Sequence, residues 1–335
     1  MRRPFALVII LSALLAALPR GSEAAVTLED MRKVAAYSEA LNTLIAGLGA
    51  IYEQATEYDG LAEAAVSKQV APDDTDRRVA LLSARLRSRY GELSAALDKA
   101  PPPPDIADAQ LRTNMENTRR MATASREIAL EAIEAGEELV RAARQGDANF
   151  YQQRTLKNLR LVRSQLSRQS SIYQAQIANE TQGSVNFHLY AVMAGQSDVM
   201  AMIIDAAIGR LDGAKIAAEF YDPPRSLIAQ GRQQLGDARA AYAELVGMVE
   251  RAGVTEGATE RNKRVVLEAL ATVPQSIEVE AQIFDELETY LKRMQADTLD
   301  DGAIDIFQLR VSDLERRRAT LLIERQKKIQ NLSGG

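Results

Sequence analysis

The stretch RYGELSAALDKA, Arg89–Ala100, has a near copy in AYAELVGMVERA, Ala241–Ala252. Each sets a tyrosine two residues before Glu-Leu (Tyr90, Glu92, Leu93; Tyr242, Glu244, Leu245), then an apolar face, then a basic residue and an alanine. The offset from Tyr90 to Tyr242 is 152 residues, close to half of the 335-residue chain. Val79, Leu86, Tyr90, Leu93, Leu97 and Ala100 recur at spacings of three, four and seven, as do Ile228, Leu235, Ala238, Tyr242, Leu245, Val249 and Ala252. Such spacings put each set on one face of an α-helix, a seam suited to bundle packing.

The agreement extends outward from these stretches. Pro72 matches Pro224 at the start of each helix, where a missing N–H costs nothing. At an offset of 153, Tyr37 matches Tyr190, Asp59-Gly60 matches Asp212-Gly213, and Ala64-Ala65 matches Ala217-Ala218. Breaks fall at 70–74, 101–105, 145–147, 181–184, 222–224, 253–257 and 296–302, where proline, glycine, aspartate and serine stop one helix and cap the next. They predict eight helices, about 26–69, 73–100, 105–145, 148–180, 184–221, 224–252, 257–296 and 302–332. Pro274 is expected to kink the seventh. No segment alternates in the manner of a half-buried strand.

Charge follows the same order. The third helix of each half is acidic: Glu127, Glu131, Glu134, Glu137 and Glu138, then Glu278, Glu280, Asp285, Glu286 and Glu288. The fourth is basic: Arg154, Lys157, Arg160, Arg163 and Arg168, then Arg310, Arg316, Arg317, Arg318, Arg325, Lys327 and Lys328. The fold expected is therefore all-α: an internal duplication of about 153 residues giving two tandem four-helix-bundle-like units, elongated, over 25–180 and 181–335. Helices of about 40 residues would span ~60 Å.

Residues 1–24, MRRPFALVIILSALLAALPRGSEA, have the layout of a secretory signal peptide. A basic start precedes an apolar run, and Ser-x-Ala leads to a cut after Ala24. A periplasmic or secreted location is expected, with no membrane span after cleavage. Arg2-Arg3 is compatible with twin-arginine export, but the run VIILSALLAAL is greasy enough for the general route.

The chain has no cysteine, which excludes disulfides, thiolate metal sites and a lipid-modified N-terminal cysteine. It has 46 acidic and 41 basic residues, a poor balance for nucleic acid. The one histidine, His188, cannot by itself build a histidine metal cluster or a haem pair, and no Glu-x-x-His motif occurs. Neither an EF-hand loop, a phosphate loop, a dinucleotide glycine pattern nor a Gly-x-Ser-x-Gly elbow occurs. No cofactor, metal or catalytic residue is expected. Pro101–Pro104 reads as a rigid spacer between helices.

The fourth helix is the least ordinary. Leu156, Leu159, Val162 and Leu166 form an apolar strip, after which Gln169, Ser170, Tyr173 and Gln176 occupy seam positions. Polar groups at a seam require partners. They form an inter-helix polar seam, or else Arg163, Arg168, Gln169, Tyr173 and Gln176 frame a pocket for a small anionic ligand. Three functions are compatible with the residues: an exported, non-enzymatic scaffold of the bacterial envelope with an unidentified envelope protein partner, a periplasmic ligand-binding or sensing module, or an enzyme. The scaffold reading ranks first, because no nucleophile cluster stands out. Alanine-rich seams also allow a homodimer, since dimer and monomer use the same coiled-coil-like heptad signal.

Overall fold

The structure, a computed structural model, describes residues 28–67, 71–106, 109–146, 150–178, 180–251, 257–298 and parts of 306–328. The expected signal peptide lies outside the described residues. Those residues are helical, with no strand among them. The helices are α1 (Leu28–Ala55), α2 (Glu57–Val66), α3 (Pro72–Asp98), α4 (Ala109–Arg144), α5 (Phe150–Ile177), α6 (Val185–Leu211), α7 (Asp222–Arg251), α8 (Gly257–Leu270) and α9 (Val273–Gln295). A 3-10 turn, Ala218–Tyr221, leads into α7, and residues 309–318 are helical again.

Three of the expected helices are divided or shortened. The first is interrupted at Thr56. The Thr56 hydroxyl and backbone N–H both donate to the Glu53 carbonyl, at 2.7 and 3.2 Å, tightening the turn before α2. The fifth stops at Leu211. There Ala214 N–H bonds the Gly209 carbonyl, Gly213 N–H bonds Arg210, and Gly213 takes φ +84°. That is a Schellman cap, which needs a left-handed residue just beyond the helix. The seventh is broken rather than kinked. Pro274 stands in the first turn of α9, and Thr272 bridges the gap with its hydroxyl on the Ala269 carbonyl, 2.8 Å.

α4 packs against α1, α2, α3 and α5, and the most extensive helix pairing is α5 with α6. α6 in turn meets α7 and α9. Two apolar clusters fill the first half. Leu48, Ile51, Tyr58, Leu86 and Ile133 belong to one, and Tyr37, Leu41, Ile45, Met115 and Met121 to the other. A single cluster, including Leu189, Val192, Ile228, Leu235, Phe284 and Leu287, fills the second. Tyr173 on α5 stacks with Tyr190 on α6, centroids 6.4 Å apart, in a small cluster between them.

The seam residues of α3 and α7 lie as expected: Leu86, Leu97, Ile228, Leu235 and Ala238 are buried, and Tyr90, Leu93, Tyr242 and Leu245 are half-buried. Two glycines permit close approach. A Cβ at Gly136 of α4 would overlap the Tyr58 ring, and one at Gly231 of α7 would overlap the Phe284 ring. α6 is the one helix among the described residues long and apolar enough to cross a bilayer. Its neighbours α5, α7 and α9 enclose it on several sides, which is reason enough for apolar residues around most of its circumference.

Candidate functional site

α4 and α5 are joined by a short connection and so run antiparallel, with a cleft of about 730 Å³ between them. Its α4 side carries Glu131, Glu134, Ala135, Glu138, Leu139 and Ala142, and its α5 side carries Gln153, Leu156, Lys157, Arg160, Leu161 and Ser164. Register sets which groups meet. Glu131 accepts hydrogen bonds from Ser164 (3.3 Å) and from the Arg168 guanidinium, closing one end. Glu127 is 3.4 Å from the same arginine. Glu137 points the other way, to Arg87 of α3 (2.6 Å), which holds its carboxyl below the usual range.

Glu134 and Glu138 are exposed, four residues apart on one face, and neither forms an ion pair or hydrogen bond among the described residues. Lys157 and Arg160, across the cleft, are likewise without an ion-pair partner within 4 Å among the described residues. The Lys157 ammonium is enclosed and makes no hydrogen bond there. Burial pulls it down to about 8, against Asp59 and Glu138, which favour the charge. Asp59 itself is raised, because burial outweighs its attraction to Arg154 and Lys157.

The five residues singled out as a pocket are not gathered around this cleft. Arg163 turns to α6 and grips Asp205 at 2.8 Å, while Arg168 turns to α4. Gln169 and Tyr173 are buried and joined by a hydrogen bond of 3.3 Å. Gln176 is fully buried, and neither its Oε1 nor its Nε2 has a hydrogen-bond partner among the described residues. The two arginines are therefore neutralised by protein carboxylates on opposite sides of α5, and the three seam residues sit inside the fold.

Tyr173 adjoins a buried charged cluster that periodicity alone did not single out. Arg318 lies 3.3 Å from Glu280 of α9 and 3.6 Å from Glu315, with side-chain exposures of 6%, 0% and 5%. Gln196 of α6 donates to the Glu280 backbone carbonyl at 3.0 Å and accepts from Arg318 at 3.5 Å. Burial pushes the Glu315 carboxyl up to about 6 although Arg318 opposes it, and Glu280 adds to the rise. Burial likewise raises Glu280 and Tyr173. Arg318 stays charged, because the carboxylates and Tyr173 outweigh its desolvation. A signal existed. Glu280 falls at core spacing between Ile277 and Ile283, and Arg318 between Leu314 and Leu321.

His188 hydrogen-bonds Gln234 of α7 through Nδ1 at 2.6 Å and meets the edge of Phe187. Ser184, near it in sequence, caps α6 by accepting from Phe187 N–H at 3.1 Å. Among the described residues no three His, Cys, Asp or Glu side chains gather as metal ligands. Comparison with protein-family models, with curated proteins and with solved structures found no match to this chain.

Proposed function

We propose that the chain is an exported helical protein of the bacterial envelope that acts by binding rather than by catalysis, and that the α4–α5 cleft holds a small molecule. The observation that carries this is the cleft itself. Its volume, about 730 Å³, lies in the range of small-molecule sites. It also combines apolar residues with four charged groups that no ion-pair partner among the described residues satisfies. Export rests on the layout of residues 1–24.

The chain is further proposed to be two copies of one four-helix unit, 25–180 and 181–335. Support comes from pairing between the third and fourth helices of each half: Arg168 with Glu131 in the first, Arg310 with Glu286 (3.0 Å) in the second. The matched tyrosines Tyr37 and Tyr190 are both buried. A scaffold that binds another protein is the second reading, for which Ile306 and Leu309, exposed and three residues apart, offer an apolar contact.

Native mass spectrometry of the protein from its host's envelope fraction tests the choice. A small mass carried by the folded chain and lost on unfolding is expected. A bare chain, or one bound to a second protein, would sink the small-molecule reading, and the latter would establish the scaffold.

A further inference from the structure

The cleft is divided by sign. Glu134 and Glu138 stand on α4, Lys157 and Arg160 on α5, and no ion pair within 4 Å forms among the four. Leu156 and Leu161 add apolar lining. Glu138 attracts Lys157 across the gap without touching it, and opposite charges held apart leave room between them for a ligand's charges, where attraction is strongest beside a low-dielectric wall. An anion entering here would meet two free carboxylates. A cation would meet an enclosed ammonium and a guanidinium. An apolar molecule without charge would leave all four groups as they are. Only a ligand carrying both signs satisfies both walls.

We propose that the cleft binds a zwitterion with an apolar body, an amino acid or short apolar peptide, its carboxylate on the exposed Arg160, with the enclosed Lys157 ammonium adding its charge from behind, and its ammonium on Glu134 and Glu138. This rests on the cleft being a binding site, and it adds the class of ligand. Carboxylate recognition suits the α5 side, where a planar guanidinium offers paired donors and Lys157 a point charge. Leu156 and Leu161, half-buried on α5, would cover the side chain. The volume of about 730 Å³ accommodates one residue or two.

The test measures binding of four probes to the full mature chain by saturation-transfer NMR and calorimetry. The probes are L-leucine, L-leucyl-L-leucine, 4-methylpentanoate and 3-methylbutylamine. The last two keep the apolar body and one charge each. At least one zwitterion is expected to bind about tenfold or more tighter than either single-charge probe, a difference near 1.4 kcal/mol. The order of the two zwitterions distinguishes a free amino acid from a peptide. E134Q/E138Q is expected to erase the preference for L-leucine over 4-methylpentanoate, and K157Q/R160Q the preference over 3-methylbutylamine. The ranking on the unaltered protein needs no variant, so a folding defect cannot obscure it. Equal binding of a single-charge probe would overturn the zwitterion and leave the cleft as a binding site. Binding of none of the four, with a bare chain in native mass spectrometry, would overturn both.

Discussion

The proposed duplication invites a comparison of the two interiors at an offset of 152 residues. Ile128 of α4 and Leu166 of α5 are buried in the first half, and at the same offset Glu280 and Arg318 are buried in the second. Ile128 and Leu166 bring no charge that has to be satisfied. The second pair brings in Glu315, Gln196 and Tyr173 to satisfy two charges withdrawn from water. A buried ion pair recovers its desolvation cost only with good geometry, and apolar replacements of similar volume are often as stable or more so. The contrast therefore teaches that a core position can be held by either chemistry, but not by half of one.

The largest loss of stability is expected from Arg318→Leu. It leaves Glu280 and Glu315 buried without a counter-charge, and a loss of about 3–5 kcal/mol in urea unfolding is expected. The triple change E280I/E315L/R318L removes all three buried charges and puts at 280 and 318 the apolar residues that stand at 128 and 166. It should recover most of that loss. If the triple variant is no more stable than R318L, the charges are not what distinguishes the halves.

A second experiment uses pH. Glu315 is raised from 4.5 to about 6, chiefly by burial. The folded state therefore holds this proton more tightly than the unfolded chain. The stability it contributes is complete below about pH 4.5 and is lost as pH rises through about 6, a change of about 2 kcal/mol. Glu137 and Glu288, lowered by their ion pairs, act in the opposite direction. The clean readout is thus the difference from E315Q. The stability of E315Q relative to the parent chain should climb by about 2 kcal/mol between pH 4 and pH 7. A flat difference would place the proton elsewhere in the cluster.

The smallest expected effect concerns one dipeptide used in two ways. Asp59-Gly60 lies inside α2, where Gly60 has open space around it. Asp212-Gly213 ends α6, with Gly213 at φ +84°. Gly60→Ala is expected to raise stability by about 0.5–1 kcal/mol, because alanine suits a helix interior. Gly213→Ala should lower it by about 1–2 kcal/mol, since a Cβ is unfavourable in the left-handed region. Thermal melts of the two variants shifting in the same direction would contradict these opposite roles of the two glycines.

That dipeptide also marks the limit of reading by similarity. The matched letters predict matched conformations, yet the residues after them differ. Leu61-Ala62-Glu63-Ala64-Ala65 carries the helix onward, held by Tyr58 and Ala62 in the core. After Gly213 the chain passes through a 3-10 turn to Pro223-Pro224. The five pocket candidates on α5 show a different limit. Polar residues at seam spacing were visible, and Gln169, Tyr173 and Gln176 are indeed buried. Which carboxylate each arginine reaches depends on neighbours distant in sequence.

Local chemistry was enough to determine the all-helical class, the apolar faces of α3 and α7, the helix starts at Pro72 and Ser184, and the acidic and basic stripes on α4 and α5. Each depends on propensity, spacing or a cap within a few residues, and such terms act before the chain folds back on itself. Tertiary structure alone decided the pairing of those stripes. Antiparallel register of α4 and α5 brings Arg168 to Glu131, α3 takes Glu137 through Arg87, and Glu134, Glu138, Lys157 and Arg160 are left around an open cleft. It also drew Arg318 and Glu280, 38 residues apart, into one buried contact. Charges of this kind are alike in sequence. Only the distances and the dielectric around them, set when the helices pack, separate a satisfied pair from an unsatisfied one.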